Sequence, residues 1–443
     1  MKAEPHMAPV QGSLPLRHRG RVVWILAGEA SGDAIGARLM LALHKRDPTL
    51  VFAGVGGSRM EALGLCSLFP MTDLSVMGLA EVLPQLRKLS QRMLEAEHDI
   101  ALRHPDVVVT IDSPGFSLRL LDRIAPLGVR RVHYVAPQFW AWQERRLRQY
   151  REVWDRLLCL FPFEKKWFEK RQVSDVRFTG HPVLEAGIKQ GNAERFRRKH
   201  RFNPNAPVVI MMAGSRKGEI KRLLPLFRLA SLRIRDKVPD VRIVLPVTPE
   251  QAHFVRRMVR EWQVEPAVIT GSAEKHDAFA AASCALTKSG TSTLELALAG
   301  VPMVVAYRVN PLSALFARHL IKVPFVAMIN IMARRTVVPE LLQGQCTPEN
   351  LANNALRLMM DPAAAQAQRD GYAEVLTQLE APGNMTPADA AADQILNIMD
   401  TPLRQLRPDL KLPPENSPER TGNLVSDQVP DDGTVSDPPS PHP

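Results

Sequence analysis

Short apolar runs, each closed by a turn of glycine and hydroxyl residues and followed by a helical pattern, recur along most of this chain. The segment Ala285 to Arg308, ALTKSGTSTLELALAGVPMVVAYR, shows the unit most fully. Ser283 to Leu286 can end a buried strand, Thr287 to Thr293 is a polar turn, and Leu294 to Ala299 has a helical pattern. Gly300 and Pro302 then stop the helix, a glycine terminator followed by a residue that cannot continue it. Val301 to Tyr307 is apolar and β-branched and reads as the next parallel strand. Such units bury their strands in a parallel sheet covered by helices on both faces, and this constrains the fold more than any other feature. The turn also leaves N–H groups free at the positive end of a helix dipole, a ready site for phosphate or diphosphate. Glu295, just inside the helix, is positioned to accept hydrogen bonds from a ribose. An ordinary capped βαβ unit looks the same, so this stretch alone leaves both readings open.

The same alternation starts near the N-terminus. Arg21 to Ala27, Leu50 to Gly57, Asp106 to Asp112, Arg131 to Val135, Arg156 to Phe161 and Val176 to Thr179 read as six strands. GEASGD, Gly28 to Asp33, is the turn after the first, and a helix is expected from Ala34 to Lys45, with Asp33 as its cap. Gly191 to Pro207 is basic, then rich in Asn and Pro, and reads as an interdomain connection. The pattern restarts with Val208 to Met212, Val241 to Val247 and Ala267 to Ile269; Pro348 to Met360 and Thr386 to Met399 look helical. The expected organisation is a disordered extension over 1–20, a first Rossmann-like domain over 21–190, and a second over 207–385. A helix over 386–400 is expected to pack back on the first domain, and a Pro-rich tail over 401–443 to be disordered.

Composition limits the function classes. The chain has 443 residues, enough for two domains. Its four cysteines lie far apart and without nearby histidines, which argues for reduced thiols in a cytoplasmic protein over disulfides or zinc. No signal peptide and no apolar run of membrane-spanning length is visible. The net charge is +11, and the residues from Thr401 onward carry four basic and seven acidic side chains, so +14 resides on the remainder. That excess attracts nucleic acid, acidic headgroups or phosphorylated substrates without choosing among them.

GEASGD, GVGG, IDSPGF, HYVAPQFWAW, LLCLFPFEKKWF, GHPV, AGSRKGEI, SGTSTLELALAGVPMVVAYR and NIMARRTVVPELLQ occur in the order expected of the lipid-A-disaccharide synthase family. The chain resembles that family from about Arg21 to about Met399. The resemblance implies an α/β, GT-B type fold: two Rossmann-like doubly wound parallel-sheet domains facing across a cleft. It implies an inverting glycosyltransferase that joins UDP-2,3-diacylglucosamine to 2,3-diacylglucosamine 1-phosphate. The products would be the β-1,6-linked lipid A disaccharide 1-phosphate and UDP. It implies work at the cytoplasmic face of the inner membrane as a peripheral protein, with no cofactor, no metal and no nucleic acid; a homodimer is left open. Two departures stand out: Ala213 where the family often has proline, and NIMARRT where it has NLIAGRE, so that Arg334 replaces glycine and Thr336 a carboxylate.

Residue chemistry fits alongside. Asp112 ends a strand at the carboxyl edge and is the expected catalytic base, with Glu29 the competitor. The expected donor set is Gly214, Ser215, Arg216, Ser289, Gly290, Thr291, Ser292, Thr293, Glu295, Arg308 and Asn330, with Arg216 neutralising the leaving UDP. His133 and His181 read as buried core histidines, and Trp140 and Trp142 as pocket or core aromatics. Val76, Met77, Leu79, Val82, Leu83, Leu86, Arg87 and Lys88 form an apolar face flanked by cations, assigned to acceptor and membrane docking. The competing functions are a UDP-sugar epimerase of the same architecture and a non-catalytic nucleotide- or nucleic-acid-binding protein. A dinucleotide oxidoreductase is disfavoured, because GEASGD is not GxGxxG.

Overall fold

The computed structural model describes residues 20–74, 79–142, 144–309 and 324–407. Among the described residues, twelve strands form two six-stranded sheets in which every pairing is parallel. The first sheet holds β1 (Val22–Ala27), β2 (Val51–Val55), β3 (Val107–Ile111), β4 (Arg130–Tyr134), β5 (Arg156–Cys159) and β6 (Val176–Phe178), in the order β2-β1-β3-β4-β5-β6. The second holds β7 (Val208–Met212), β8 (Arg242–Pro246), β9 (Ala267–Ile269), β10 (Cys284–Lys288), β11 (Met303–Tyr307) and β12 (Glu340–Leu342), in the order β12-β11-β10-β7-β8-β9. β12 lacks a β-branched run and was not legible in the sequence.

The apolar runs behave as their composition requires. All six residues of β1 and all five of β3 are buried, because helices cover both faces of the sheet. The glycine terminator after β10 also behaves as expected. Gly300 has φ +69°, its N–H donates to the Ala297 carbonyl, and Val301 N–H donates to Leu296, the paired bonds of a Schellman ending.

In each sheet the strand order reverses once, between β1 and β3 in the first and between β7 and β10 in the second. The loops leaving the carboxyl ends of these strands splay apart there, opening a crevice where ligands collect in such sheets. The expected start of the disordered tail at 401 needs correction, and the stretch Gly191 to Pro207, expected to connect the domains, contains the helix Ala193–Lys199. That helix is held on the second half by Arg195, whose guanidinium donates to both Asp277 oxygens at 2.6 Å. The ordered chain also runs past Thr401: Leu403–Leu406 is helical, and Arg407 donates to the Val129 carbonyl at 2.6 Å and pairs with Asp155 in the first domain. Buried ion pairing and backbone capping hold this segment despite its prolines and polar composition.

The helix Pro387–Asp400 lies against the helix Ala30–Arg46, where Arg46 pairs with Asp389 and Asp393. Arg156 reaches the Gln394 carbonyl at 2.6 Å and Asn397 at 2.9 Å from beneath. The chain thus crosses to the second half and returns, and His181 N–H to the Leu379 carbonyl at 2.9 Å fastens the returning strand of backbone.

Candidate active site

On the first sheet the crevice is made by the loops after β1 and β3. Gly28 passes so close that a Cβ there would lie 2.3 Å from the Ser113 hydroxyl, which only glycine avoids. Glu29 follows in extended geometry as the N-cap of the helix Ala30–Arg46. That helix starts four residues earlier than expected, so Asp33 lies inside it and does not cap it. Its buried carboxylate instead accepts from Gly57 N–H at 2.8 Å and from Arg59 and Met60 N–H at 3.1 Å, capping the short helix Ser58–Glu61. After β3, Asp112 (φ +54°) and Ser113 (φ +48°) are both left-handed, a strained conformation for residues with a side chain. Asp112 N–H donates to the Tyr134 carbonyl at 2.9 Å and the Asp112 carbonyl accepts from the Ser117 hydroxyl at 2.7 Å. The turn is therefore clamped from both sides.

The two carboxylates are electrostatically unusual. Burial pushes the Asp112 carboxyl above the ordinary carboxylate range, opposed in part by a hydrogen bond from Ser113 N–H and by the charge of Arg216. Burial pushes Glu29 up as well, reinforced by the neighbouring Asp112 charge and opposed by Arg216. Arg216 belongs to the other half of the molecule. It lies near enough for its charge to act on both carboxylates across the gap between the two sheets.

The second sheet supplies the opposite rim. Gly214 (φ +108°) turns the chain after β7, and a Cβ there would meet Glu219 Oε2 at 2.3 Å. Ser215 and Arg216 are exposed, with Arg216 the N-cap of the helix Lys217–Lys237. Glu219 lies below them, accepting from Arg216 N–H at 3.4 Å and pairing with Lys288 Nζ at 3.0 Å at the end of β10. Next come Ser289 to Thr293. Gly290 and Thr291 are exposed, and Ser292 contacts Thr287 at 3.3 Å. Ser289 donates to the Val326 carbonyl at 2.5 Å, and the fully buried Thr293 donates to the Gly290 carbonyl at 2.7 Å. These two hydroxyls thus shape the turn from behind. Glu295 accepts from Lys275 Nζ through both oxygens, at 2.8 and 3.0 Å.

Asn330 sits behind this rim and is wholly buried. Its Oδ1 accepts from Val337 and Val338 N–H, and its Nδ2 donates to the Val338 carbonyl and to Glu340 Oε1. Glu340 also accepts from Val326 and Ala327 N–H, so the chain Asn330–Glu340–Val326–Ser289 braces the turn. Arg308 is exposed just past β11, its charge felt by Cys346. Glu219, Lys275, Lys288 and Glu340 were not singled out from sequence; KGE directly after GSR and a lysine closing β10 were the available signals for two of them.

The remaining residues divide cleanly. His133 is buried on Thr110 and stacked 6.1 Å from Trp154, and burial lowers its ring to about 3. His181 accepts from Val183 N–H at 3.1 Å and is likewise lowered to about 3, so both rings stay neutral. Trp140 is buried with its Nε1–H on Glu164, a core position; the side chain of Trp142 lies outside the described residues. Val76 and Met77 lie outside the described residues, as do the side chains of Leu79, Val82 and Leu83. Leu86 is 44% exposed on the helix Leu79–Arg103, and Arg87 is exposed beside it. Lys88 pairs with Asp73 at 2.6 Å and Arg92 pairs with Asp73 at 2.9 Å, so internal partners already hold these two cations. Among the described residues, no helix is long and apolar enough to cross a membrane, and no group of three or more His, Cys, Asp or Glu has metal-holding geometry.

Two doubly wound sheets with facing crevices are the GT-B architecture, shared by nucleotide-sugar glycosyltransferases and epimerases. Solved structures agree on the fold. The UDP-GlcNAc 2-epimerase of Neisseria meningitidis, bound to UDP-GlcNAc, aligns over 85% of this chain and 100% of its own at 13% identity and TM-score 0.59. The calicheamicin glycosyltransferase CalG4 aligns over 86% and 98% at 17% identity and TM-score 0.55. The family model for lipid-A-disaccharide synthetase matches residues 23–395. The lipid-A-disaccharide synthase of Gluconobacter oxydans is 59% identical over 89% of this chain and 95% of its own length. That of Granulibacter bethesdensis is 50% identical over 85% and 98%. The chain belongs to the lipid-A-disaccharide synthase family, and it is a glycosyltransferase.

Proposed function

We propose that the chain transfers a 2,3-diacylglucosamine unit from its UDP conjugate to the 6-hydroxyl of 2,3-diacylglucosamine 1-phosphate, with inversion, releasing UDP. The observation that supports this reading is the charge of Arg216, on one half, acting on Glu29 and Asp112 on the other. A cation at the rim of the donor half and a basic carboxylate on the opposite half are the two charges an in-line displacement needs. The acceptor O6 attacks the anomeric carbon as its proton passes to the Asp112 carboxylate. The bond from that carbon to the diphosphate oxygen breaks, and the charge left on UDP is met by Arg216. A carboxyl held above its ordinary range by burial is the stronger base for a hydroxyl proton. Glu29 keeps the site negative beside Asp112, positioned toward the acceptor sugar.

On the donor side, the exposed N–H groups of Gly290 and Thr291 and the side chains of Ser215 and Ser292 are suited to the diphosphate. Glu295, steered by Lys275, is suited to the ribose. Thr293, Ser289 and Asn330 act by holding that surface. The helix Leu79–Arg103 is the proposed element for docking at the cytoplasmic face of the inner membrane, through Leu86 and Arg87. The deciding experiment incubates radiolabelled UDP-diacylglucosamine with the monosaccharide phosphate. A labelled disaccharide phosphate is the expected product. An altered UDP-sugar with no disaccharide would instead establish an epimerase.

A further inference from the structure

The crossover between β4 and β5 carries a second concentration of charge. A recess of about 230 Å3 opens there, lined by Glu144, Arg145, Leu147, Arg148, Arg151 and Arg171. Arg171 follows the helix Pro162–Glu169, which runs back from the carboxyl edge of the sheet, so the recess lies toward the edge opposite Asp112. Four guanidinium groups share this volume with one carboxylate, and that carboxylate is engaged. Arg171 donates to Glu144 at 2.8 and 2.6 Å while stacking 3.9 Å above the Trp167 ring. Among the described residues the side chains of Arg145, Arg148 and Arg151 make no hydrogen bond or ion pair, and Arg151 Nε is buried without a partner. Leu147 floors the recess, 2% exposed.

Arginine cannot relieve crowding by losing its proton. Like charges in a recess repel more strongly than in open water, because the effective dielectric is lower. An anion removes that repulsion, and the planar guanidinium fork matches phosphate oxygens two at a time. The volume is below the roughly 300–1,000 Å3 of pockets for larger organic ligands and suits a single phosphate group.

We propose that this recess is an anion site separate from the cleft, binding a phosphate group carried either by inorganic phosphate or by an anionic lipid headgroup. The test uses the full chain with Arg145→Gln and Arg148→Gln together. Both positions are exposed, so their stems and the fold are kept. Arg256→Gln with Arg257→Gln, two exposed arginines on the helix Pro249–Val259, controls for loss of charge alone. Circular dichroism and turnover establish folding of all three proteins. Calorimetric titration with inorganic phosphate at constant ionic strength should show saturable binding in the parent and the control, weakened roughly tenfold or more in the recess variant. Sedimentation with phosphatidylcholine vesicles, with and without phosphatidylglycerol, then separates the sources. Selective loss of phosphatidylglycerol binding in the recess variant identifies the headgroup, and unchanged vesicle binding identifies free phosphate. Equal phosphate affinity in all three proteins, or no phosphate binding in the parent, overturns the site.

Discussion

The two rims of the cleft are built on opposite principles. On the first domain, Glu29 and Asp112 are carboxylates pushed above their ordinary range by burial, on a turn with two left-handed residues and a buried, unpartnered Ser113 hydroxyl. On the second, nearly every polar group behind the surface is bonded: Ser289 to Val326, Thr293 to Gly290, Glu295 to Lys275, Asn330 to Val337, Val338 and Glu340. One rim stores unfavourable energy, and the other spends hydrogen bonds on rigidity. A rim that performs proton transfer needs a perturbed group, whereas a rim that recognises a nucleotide needs a fixed surface.

The contrast breaks most visibly at Asp112. Asp112→Asn keeps the shape and removes the basic oxygen, so turnover should fall by about 10²–10⁴-fold while UDP affinity stays unchanged by calorimetry. Near-normal turnover in the folded variant would move the base to Glu29. The parent's kcat/KM should decline as pH falls through the raised carboxyl value, with an acid limb above the roughly pH 4 of an ordinary carboxylate. Stability should move the other way. Because the folded carboxyls hold protons that the unfolded chain has released, the pair costs stability above its raised values and ceases to as pH falls toward the ordinary range. Asp112→Asn should therefore be more stable than the parent at pH 8, and the gain should vanish near pH 4. A constant difference at all pH values would show that the carboxyl is not perturbed.

How the two rims were legible differs for the same reason. Strands and their glycine turns follow local rules, so Val22–Ala27, Val107–Ile111 and Met303–Tyr307 were readable to within two residues at either end, and the place of Asp112 just past a strand end was readable with them. The brace was not, because Asn330 and Glu340 matter only through backbone groups that tertiary folding brings to them. Asp33 shows the limit most plainly. Its type announced a helix cap, but the helix it caps begins beside Gly57, 24 positions further along the chain. Asn330 and Glu295 were both expected in the donor set, but nothing in the sequence says whether a ligand or the protein holds them.

On the donor rim, Arg216→Ala should weaken UDP binding by roughly 1.5–3 kcal/mol if its guanidinium meets the diphosphate. It should also raise the pH of the acid limb, because Arg216 is the cation that opposes the upward shift of Asp112 and Glu29. Unchanged UDP affinity with an unchanged acid limb would remove Arg216 from the cleft. Asn330→Ala tests the brace. Leaving Val337 and Val338 N–H and Glu340 short of partners should cost about 1–3 kcal/mol of stability in denaturant, raise the donor KM, and leave the acid limb in place. Full stability combined with lost UDP affinity would make Asn330 a direct ligand of the donor and dissolve the distinction between surface and brace.

The smallest expected effect sharpens the comparison, because it asks whether strain on the second rim has the same meaning as strain on the first. Arg334 is the C-cap of the helix Met328–Ala333, with φ +55° and ψ +24°, at the position where the family often has glycine. A left-handed residue with a Cβ costs about 1–2 kcal/mol, and the extra freedom of glycine in the unfolded chain offsets roughly 0.5–1 kcal/mol of the relief. The Arg334 side chain is exposed and takes no part in the Asn330 brace, so little else changes. Arg334→Gly should therefore stabilise the protein by up to about 1 kcal/mol, a rise of a few degrees at most in melting temperature. Turnover and donor KM should stay at parental values. Ser113→Gly is the counterpart on the first rim: it relieves a similar left-handed residue, but it loosens the turn that aims Asp112. Stability should hold or rise while turnover falls. If both variants lost turnover, strain on the donor rim would be functional too; if neither did, the strain at Asp112 and Ser113 would be an accident of chain reversal and not part of the catalytic geometry.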